Sequence, residues 1–292
     1  MRVFLAATDG KFPQYSALES YVTFMGGRSI SSLFQRPIFL DSGAYTMFTK
    51  GKSIPLKQYA DFINREHKMI EFAANLDYIG AASPVEAADR TIENQRKLEE
   101  LVKPSGAYII PVYHVREPVS YLEALVKKYP FIALGGMVPE SKGDLNKMLD
   151  EVWDRVLTDK HGHPKIKVHG FGMTILDLML RYPWYSVDST SWVIYAAFGY
   201  ITWMDGPRQV VVPISPKKEM RRMLDMHYDS MAEPHREETR KQIALRGFDI
   251  DRIREDHDER RKFNAVTYAE EIANLNPPSK TFKKPFGDLF NA

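Results

Sequence analysis

Short apolar runs alternate with longer stretches of helical period along most of the 292-residue chain. The runs predict strands at Arg2–Ala6, Pro37–Leu40, Asn75–Ile79, Tyr108–Tyr113, Phe131–Gly135, Ile166–His169, Trp184–Val187 and Gln209–Pro213. Between them, helix-period patterns predict helices over Leu56–Phe72, Val85–Val102, Val119–Lys128, Leu145–Thr158, Ile175–Arg181 and Thr190–Phe198. Hydrophobic strands alternating with helices argue for a parallel sheet buried on both faces. Eight strands in this length predict an α/β fold of the (β/α)8 TIM-barrel type. A doubly wound open sheet is the rival, and no phosphate-binding glycine loop supports it.

The texture changes after Pro216. Lys217 to Lys262 is dense in balanced charge, as in "EMRRMLDMHYDSM" and "REETRKQIALRGF", and reads as solvated amphipathic helices. The tail "NPPSKTFKKPFGDLFNA" is rich in Pro and Lys and is expected to lie extended over the surface. The expected organisation is therefore a catalytic barrel over residues 1–216 and a helical extension packed on it over 217–292.

A parallel barrel builds its site at the C-terminal ends of the strands, where the loops converge on the axis. Polar residues follow the apolar runs repeatedly. Asp41-Ser42-Gly43 follows "PIFL", Asp77 lies in "ANLDYIG", and His114 follows "IIPVY". Gly135-Gly136 ends "FIALGG", His169-Gly170 ends "KIKVHG", and Asp188 ends "WYSVD". Taken singly, Asp188 before "STSW" reads as a helix cap, the glycines as a tight turn, and the histidines as satisfied core residues. Together they describe a catalytic mouth. There Ser189 or Thr190 starts the next helix, and Asp188 is left to face inward.

Composition narrows the chemistry. The chain has no cysteine, which removes disulfides and thiolate metal sites. The pair His161 and His163 in "DKHGHPK" lies beside Gly and Pro and reads as an exposed loop rather than a metal site. Net charge is +2, so a nucleic-acid partner would be met by a local basic patch, for which Lys217, Lys218, Arg221 and Arg222 are candidates. No apolar run has the length of a membrane span or the pattern of a signal peptide, and a cytoplasmic protein is expected. Two carboxylates at one pocket suit glycosidic chemistry, one attacking the anomeric carbon and the other handling protons. A glycine-rich wall and a nearby aromatic, Tyr45, would suit a flat heterocycle.

In this order the motifs resemble those of the tRNA-guanine transglycosylase family. "FLDSGAYTMF" is similar to its Asp-Ser-Gly-Gly-Phe/Tyr motif with Ala44 at the second glycine, "ALGGM" to its Gly-Gly-Leu loop, and "KVHGFG" to its Met-Gly-Val-Gly segment. "YSVDSTSW" stands where the family carries its nucleophilic aspartate. The resemblance runs from Pro37 to about Pro213.

It implies exchange of guanine for a 7-deazaguanine, such as preQ0, within an intact polynucleotide. Asp188 would attack C1′ and form a covalent glycosyl–enzyme intermediate, with Asp41 as general acid–base. Asp77 would accept from the base edge, Ser42, Gly135, Gly136 and Gly170 would line the pocket, and Tyr45 would stack. His114 stands where the family has a glutamine that reads the base carbonyl, and His169 where it has a stacking methionine.

The family's members acting on tRNA also carry a three-cysteine, one-histidine zinc site, which this chain cannot form. That departure brings it closer to a phage-type branch acting on DNA. The resemblance thus implies a DNA partner (tRNA being the alternative), a free 7-deazaguanine, no cofactor, no metal and no membrane, with the host cytoplasm as location for a phage protein. A homodimer is left open, and a non-catalytic nucleic-acid-binding subunit is the further alternative.

Overall fold

A computed structural model describes residues 1–137, 141–173, 175–216, 226–276 and 280–283. The chain forms two compact units, Met1–Asp188 with the tail from Asn276, and Ser189–Leu275.

The first unit is built on a nearly closed barrel of parallel strands. Its nine strand segments are β1 (Arg2–Ala6), β2 (Ala17–Ser20), β3 (Ile38–Asp41), β4 (Ile70–Ala74), β5 (Ile109–Ile110), β6 (Val112–His114), β7 (Phe131–Gly135), β8 (Lys167–Gly170) and β9 (Ser186–Ser189). Their order is β5-β4-β3-β2-β1-β9-β8-β7-β6. The two end segments are separated in sequence only by Pro111, which lacks an N–H for the ladder. On one side the Ile110 carbonyl accepts from Asn75 N–H, next to β4, and on the other the Pro111 carbonyl accepts from Ala133 N–H in β7.

Helices α1 (Ala44–Thr49), α2 (Leu56–Glu66), α3 (Pro84–Val102), α4 (Val119–Lys128), α5 (Lys142–Val152) and α6 (Leu176–Arg181) connect the strands from β3 onward. Ser83 and Ser141 cap α3 and α5 by accepting from Glu86 and Asp144 N–H, satisfying donors that each helix start leaves open.

Alternation along the strands sorts the side chains into two cores. Ile38 and Leu40 join Tyr59, Phe62 and Ile63 of α2 in a core outside the sheet. Phe4, Leu18, Phe39, Ala74, Val112, Phe131 and Ala133 fill the barrel, with Phe72, Phe171 and Tyr185 against them. Phe39 is central: its ring centroid lies 5.3 Å from Phe4, 5.9 Å from Phe72 and 5.6 Å from Phe171.

Several strands differ from the expected pattern. The fourth is Ile70–Ala74, not Asn75–Ile79. The helical period expected to reach Phe72 stops at Glu66, because a tight turn at His67–Met69 converts the last apolar residues into strand. Ala17–Ser20 pairs in parallel between β1 and β3 although its short, half-polar sequence carries no strand signal. Gln209–Pro213 is not a barrel strand. It lies in β11 (Arg208–Pro213), which pairs antiparallel with β10 (Tyr200–Asp205) in the second unit.

The compositional change at Pro216 falls inside that second unit, whose boundary is at Asp188. Its helices α7 (Ser191–Ala197), α8 (Glu233–Leu245), α9 (Ile250–Glu255) and α10 (His257–Val266) accompany the hairpin. Ile201, Trp203, Val212, Ile243, Ile253 and Phe263 form its core. Asn264 ties the unit together: its Oδ1 accepts from Thr202 N–H at 2.9 Å, and its Nδ2 donates to the Trp192 and Tyr200 carbonyls at 3.1 Å.

The described part of the tail is not spread over the surface. Phe282 is 3% exposed against Tyr182, and its N–H donates to the Gly162 carbonyl. Asn276 is buried and donates to the Met179 and Tyr182 carbonyls. Among the described residues no helix is long and apolar enough to cross a membrane.

Phe39→Ala removes the ring that joins the barrel interior. It is expected to lower stability by about 3–5 kcal/mol, read as a drop in urea midpoint at unchanged slope. A loss well under 1 kcal/mol would contradict the packing described.

Candidate active site

Because all the barrel strands are parallel, their C-terminal ends share one rim. Mouth residues sit two positions after interior residues on the same strands: Asp41 after Phe39, His114 after Val112, and Gly135 after Ala133. Cross-strand register then sets Ser20 beside Asp41 and His114 beside Gly135.

Asp41 Oδ2 accepts from Gly43 N–H at 3.0 Å. Gly43 holds φ at +77°, and a Cβ there would lie 2.5 Å from Ser20 Oγ and 2.6 Å from Val22 Cγ2, so the turn after the aspartate requires glycine. Burial, reinforced by the negative charges of Asp77 and Asp188, pushes the Asp41 carboxyl up to about 7. The backbone hydrogen bonds from Gly43 and Ser42 offset this only in part.

Asp77 lies just past β4, in the loop. Its Oδ1 accepts from Ser42 Oγ at 3.3 Å and its Oδ2 from His114 Nε2 at 3.0 Å. His114 Nδ1 donates to Glu117 Oε1, also at 3.0 Å. Burial opposes charge on the imidazole, but the hydrogen bonds and charges of Asp77 and Glu117 outweigh it and raise His114 to about 10. It is an imidazolium at neutral pH, with both N–H groups engaged by carboxylates.

Gly135 and Gly136 make room for that ring. A Cβ on either would come within 3.1 Å of the His114 side chain, and Gly136 holds φ at +71°. The Gly-Gly loop therefore seats His114.

Asp188 is 6% exposed. Its Oδ1 accepts from Gly172 N–H at 2.8 Å and lies 3.3 Å from His169 Nε2, whose Nδ1 lies 2.9 Å from Ser186 Oγ. Among the described residues no hydrogen bond reaches Oδ2.

His169 is 0% exposed, its ring centroid 4.6 Å from Phe39 and 4.7 Å from Phe171. It therefore supports Asp188 from beneath and offers no face for a base to stack on. Gly170 is buried too: a Cβ there would come within 3.1 Å of the Trp184 ring, so close packing favours glycine at this position. Tyr45, at the start of α1, is 56% exposed and available to a ligand.

The sequence-predicted residues Asp41, Ser42, Asp77, His114, Gly135, Gly136 and Asp188 gather at this rim. Two contributors carry no signal on their own, Glu117 and Ser186, while Gly172 ends the quoted "KVHGFG" segment. Ser186 is legible only through strand alternation with Asp188, and Glu117 only through its position three residues after His114.

His161 and His163 lie on a turn organised by Asp159, whose Oδ1 accepts both their N–H groups at 2.8 and 2.9 Å. Among the described residues no group of three or more His, Asp or Glu could hold a metal ion. Lys217, Lys218, Arg221 and Arg222 lie outside the described residues. No protein-family model matches the chain, and no curated protein matches its sequence.

The raised Asp41 carboxyl has a consequence for stability. Unfolded, an aspartyl group loses its proton near about pH 4, whereas the folded one keeps it to about 7. Ionising Asp41 therefore costs folding free energy progressively from the lower value to the upper, and the cost is constant above. Asp41→Asn is expected to be more stable than wild type at pH 8 by on the order of a few kcal/mol, with little difference at pH 4. Urea unfolding of both proteins at the two pH values checks this, and an equal difference at both would contradict it.

Proposed function

We propose that the chain is a base-exchanging transglycosylase that replaces guanine by a 7-deazaguanine in DNA through a covalent Asp188–C1′ intermediate. The observation that carries the reading is a division of labour among three carboxylates at one rim. Asp188 is tethered by a single oxygen, Asp41 titrates at about 7, and Asp77 is held by a cation.

Asp188 Oδ2 bonds to C1′ as the C1′–N bond breaks and the electron pair leaves with guanine. Asp41, carrying its proton, passes it to the departing base. The resulting Asp41 carboxylate takes a proton from the incoming 7-deazaguanine, whose nitrogen attacks C1′ and releases Asp188. Two inversions give net retention, and one group serves as acid and then base because its pKa lies near the working pH.

Asp77 accepts N–H donors of the base edge on the lone pairs that Ser42 and His114 leave available, and Tyr45 provides a stacking face. His114 has no N–H left for a base carbonyl in this geometry, so base choice rests on Asp77 and the backbone around it. Reading β5 and β6 as one strand broken at Pro111 gives the eight-stranded barrel of the (β/α)8 form.

DNA is the polymer in this reading because the resemblance is to the branch without zinc, and a chain without cysteine does not fit the zinc donor set of the tRNA-acting members. A target base in a duplex must be extruded or met in a single strand. A non-catalytic subunit is disfavoured, since binding alone has no use for Asp41 and Asp188 together.

Labelled guanine incubated with the protein and either DNA or tRNA tests the proposal. Incorporation into DNA is expected, falling by at least about 10³-fold in Asp188→Asn. Label in tRNA alone would transfer the reading to that polymer. Wild-type exchange retained by Asp188→Asn would refute it.

A further inference from the structure

We propose that His169 is a positioning residue for Asp188: as a neutral imidazole it donates from Nε2–H to Oδ1 and, with Gly172 N–H, commits that oxygen, leaving Oδ2 as the atom that bonds to C1′. The identity of the carbon rests on the transglycosylase reading. The state of the imidazole does not.

Three observations converge. First, two donors from β8 and the turn after it reach the same carboxylate oxygen, Gly172 N–H at 2.8 Å and His169 Nε2 at 3.3 Å. A carboxylate held on one side cannot exchange its oxygens by rotation without losing both bonds, so the same oxygen always faces the mouth.

Second, Ser186 Oγ lies 2.9 Å from Nδ1. A hydroxyl can turn its hydrogen either way. If Nδ1 carried the imidazole proton, the Nε2 lone pair would face the lone pairs of Asp188 Oδ1. Donation from Ser186 to Nδ1 removes that repulsion and places the proton on Nε2, where the carboxylate accepts it. Ser186 and Asp188 are two residues apart on β9, so both side chains meet the ring.

Third, the ring sits among Phe4, Phe39 and Phe171, with centroids 6.0, 4.6 and 4.7 Å away. Burial there lowers its pKa, while the hydrogen bond and charge of Asp188 work in the opposite sense. His114 presents the contrast, being bracketed by two carboxylates and charged.

The neutral state matters for the chemistry. An imidazolium would form an ion pair with Asp188 and draw down its nucleophilicity, whereas a neutral donor fixes the carboxylate without cancelling its charge. When the Oδ2–C1′ bond forms, Oδ1 becomes the carbonyl oxygen of the glycosyl ester and keeps both donors. When the incoming base displaces the ester, the same two donors receive the returning charge. No proton moves at His169 in either step.

The test compares His169→Gln, which retains an N–H donor, with His169→Leu, which does not. His169→Leu is expected to lower kcat for base exchange by about 10²-fold at unchanged KM for the polynucleotide, the scale of losing one preorganised donor. His169→Gln should recover most of that loss. Equal kcat in the two variants would overturn the proposal.

Nitrogen-15 spectra of histidine-labelled wild-type protein at pH 7 give a readout that needs neither variant to fold. The Nε2–H neutral tautomer is expected for His169, and an imidazolium or an Nδ1–H tautomer would overturn the assignment. If the wild-type protein exchanges no base on any polynucleotide, the transglycosylase reading fails, and the spectrum still decides the state of His169.

Discussion

Burial of three neighbouring carboxylates, with the repulsion it leaves unscreened, governs the mouth of this barrel. Asp41, Asp77 and Asp188 face one rim, and three ionised carboxylates there would repel one another in a medium that screens poorly. Each is accommodated differently. Asp77 receives the His114 imidazolium, Asp188 receives neutral donors on one oxygen, and Asp41 keeps its proton up to about 7. A cation for the first, dipoles for the second and a proton for the third divide one electrostatic problem into three chemical roles.

Much of the surrounding structure serves that division. Gly135 and Gly136 clear the space that His114 occupies, and Glu117 takes its second N–H. The Phe4, Phe39 and Phe171 rings surround His169, which keeps it neutral beneath Asp188. Phe39 and Asp41 lie two residues apart on β3, so the strand that fills the barrel interior also delivers the proton-carrying group to the rim. Holding the Asp41 carboxyl away from its preferred charge state costs stability above the ordinary aspartyl range.

The mouth was legible in the sequence because strand ends are where apolar runs stop. Asp41, His114 and Asp188 each follow such a run, and the alternation of the strand points them inward. The same reasoning failed where apolar residues carry two periods at once. Met69, Ile70 and Phe72 continue the spacing of α2, yet Ile70 and Phe72 lie in β4, so the strand was expected five residues too late, at Asn75 in place of Ile70.

Ala17–Ser20 was missed because a four-residue strand containing Glu and Ser shows no hydrophobic run. Gln209–Pro213 has the composition of a buried strand, but composition does not say which sheet a strand joins. The part played by His169 was not legible either. Residue type and position marked it as a mouth residue, whereas its contacts with Ser186, Asp188 and three phenylalanine rings depend on strands distant in sequence.

Direct titration of Asp41 is the most immediate test of the coupled site. Carbon-13 labelling of the aspartyl carboxyls, with Asp41→Asn to assign the resonance, reads its protonation across pH. A midpoint near 7 is predicted for Asp41 in the wild-type protein, moving down only part of the way when Asp77 and Asp188 are replaced together by asparagine, because burial is the larger cause and remains. A midpoint near about 4 in the wild-type protein, unmoved by those replacements, would contradict it.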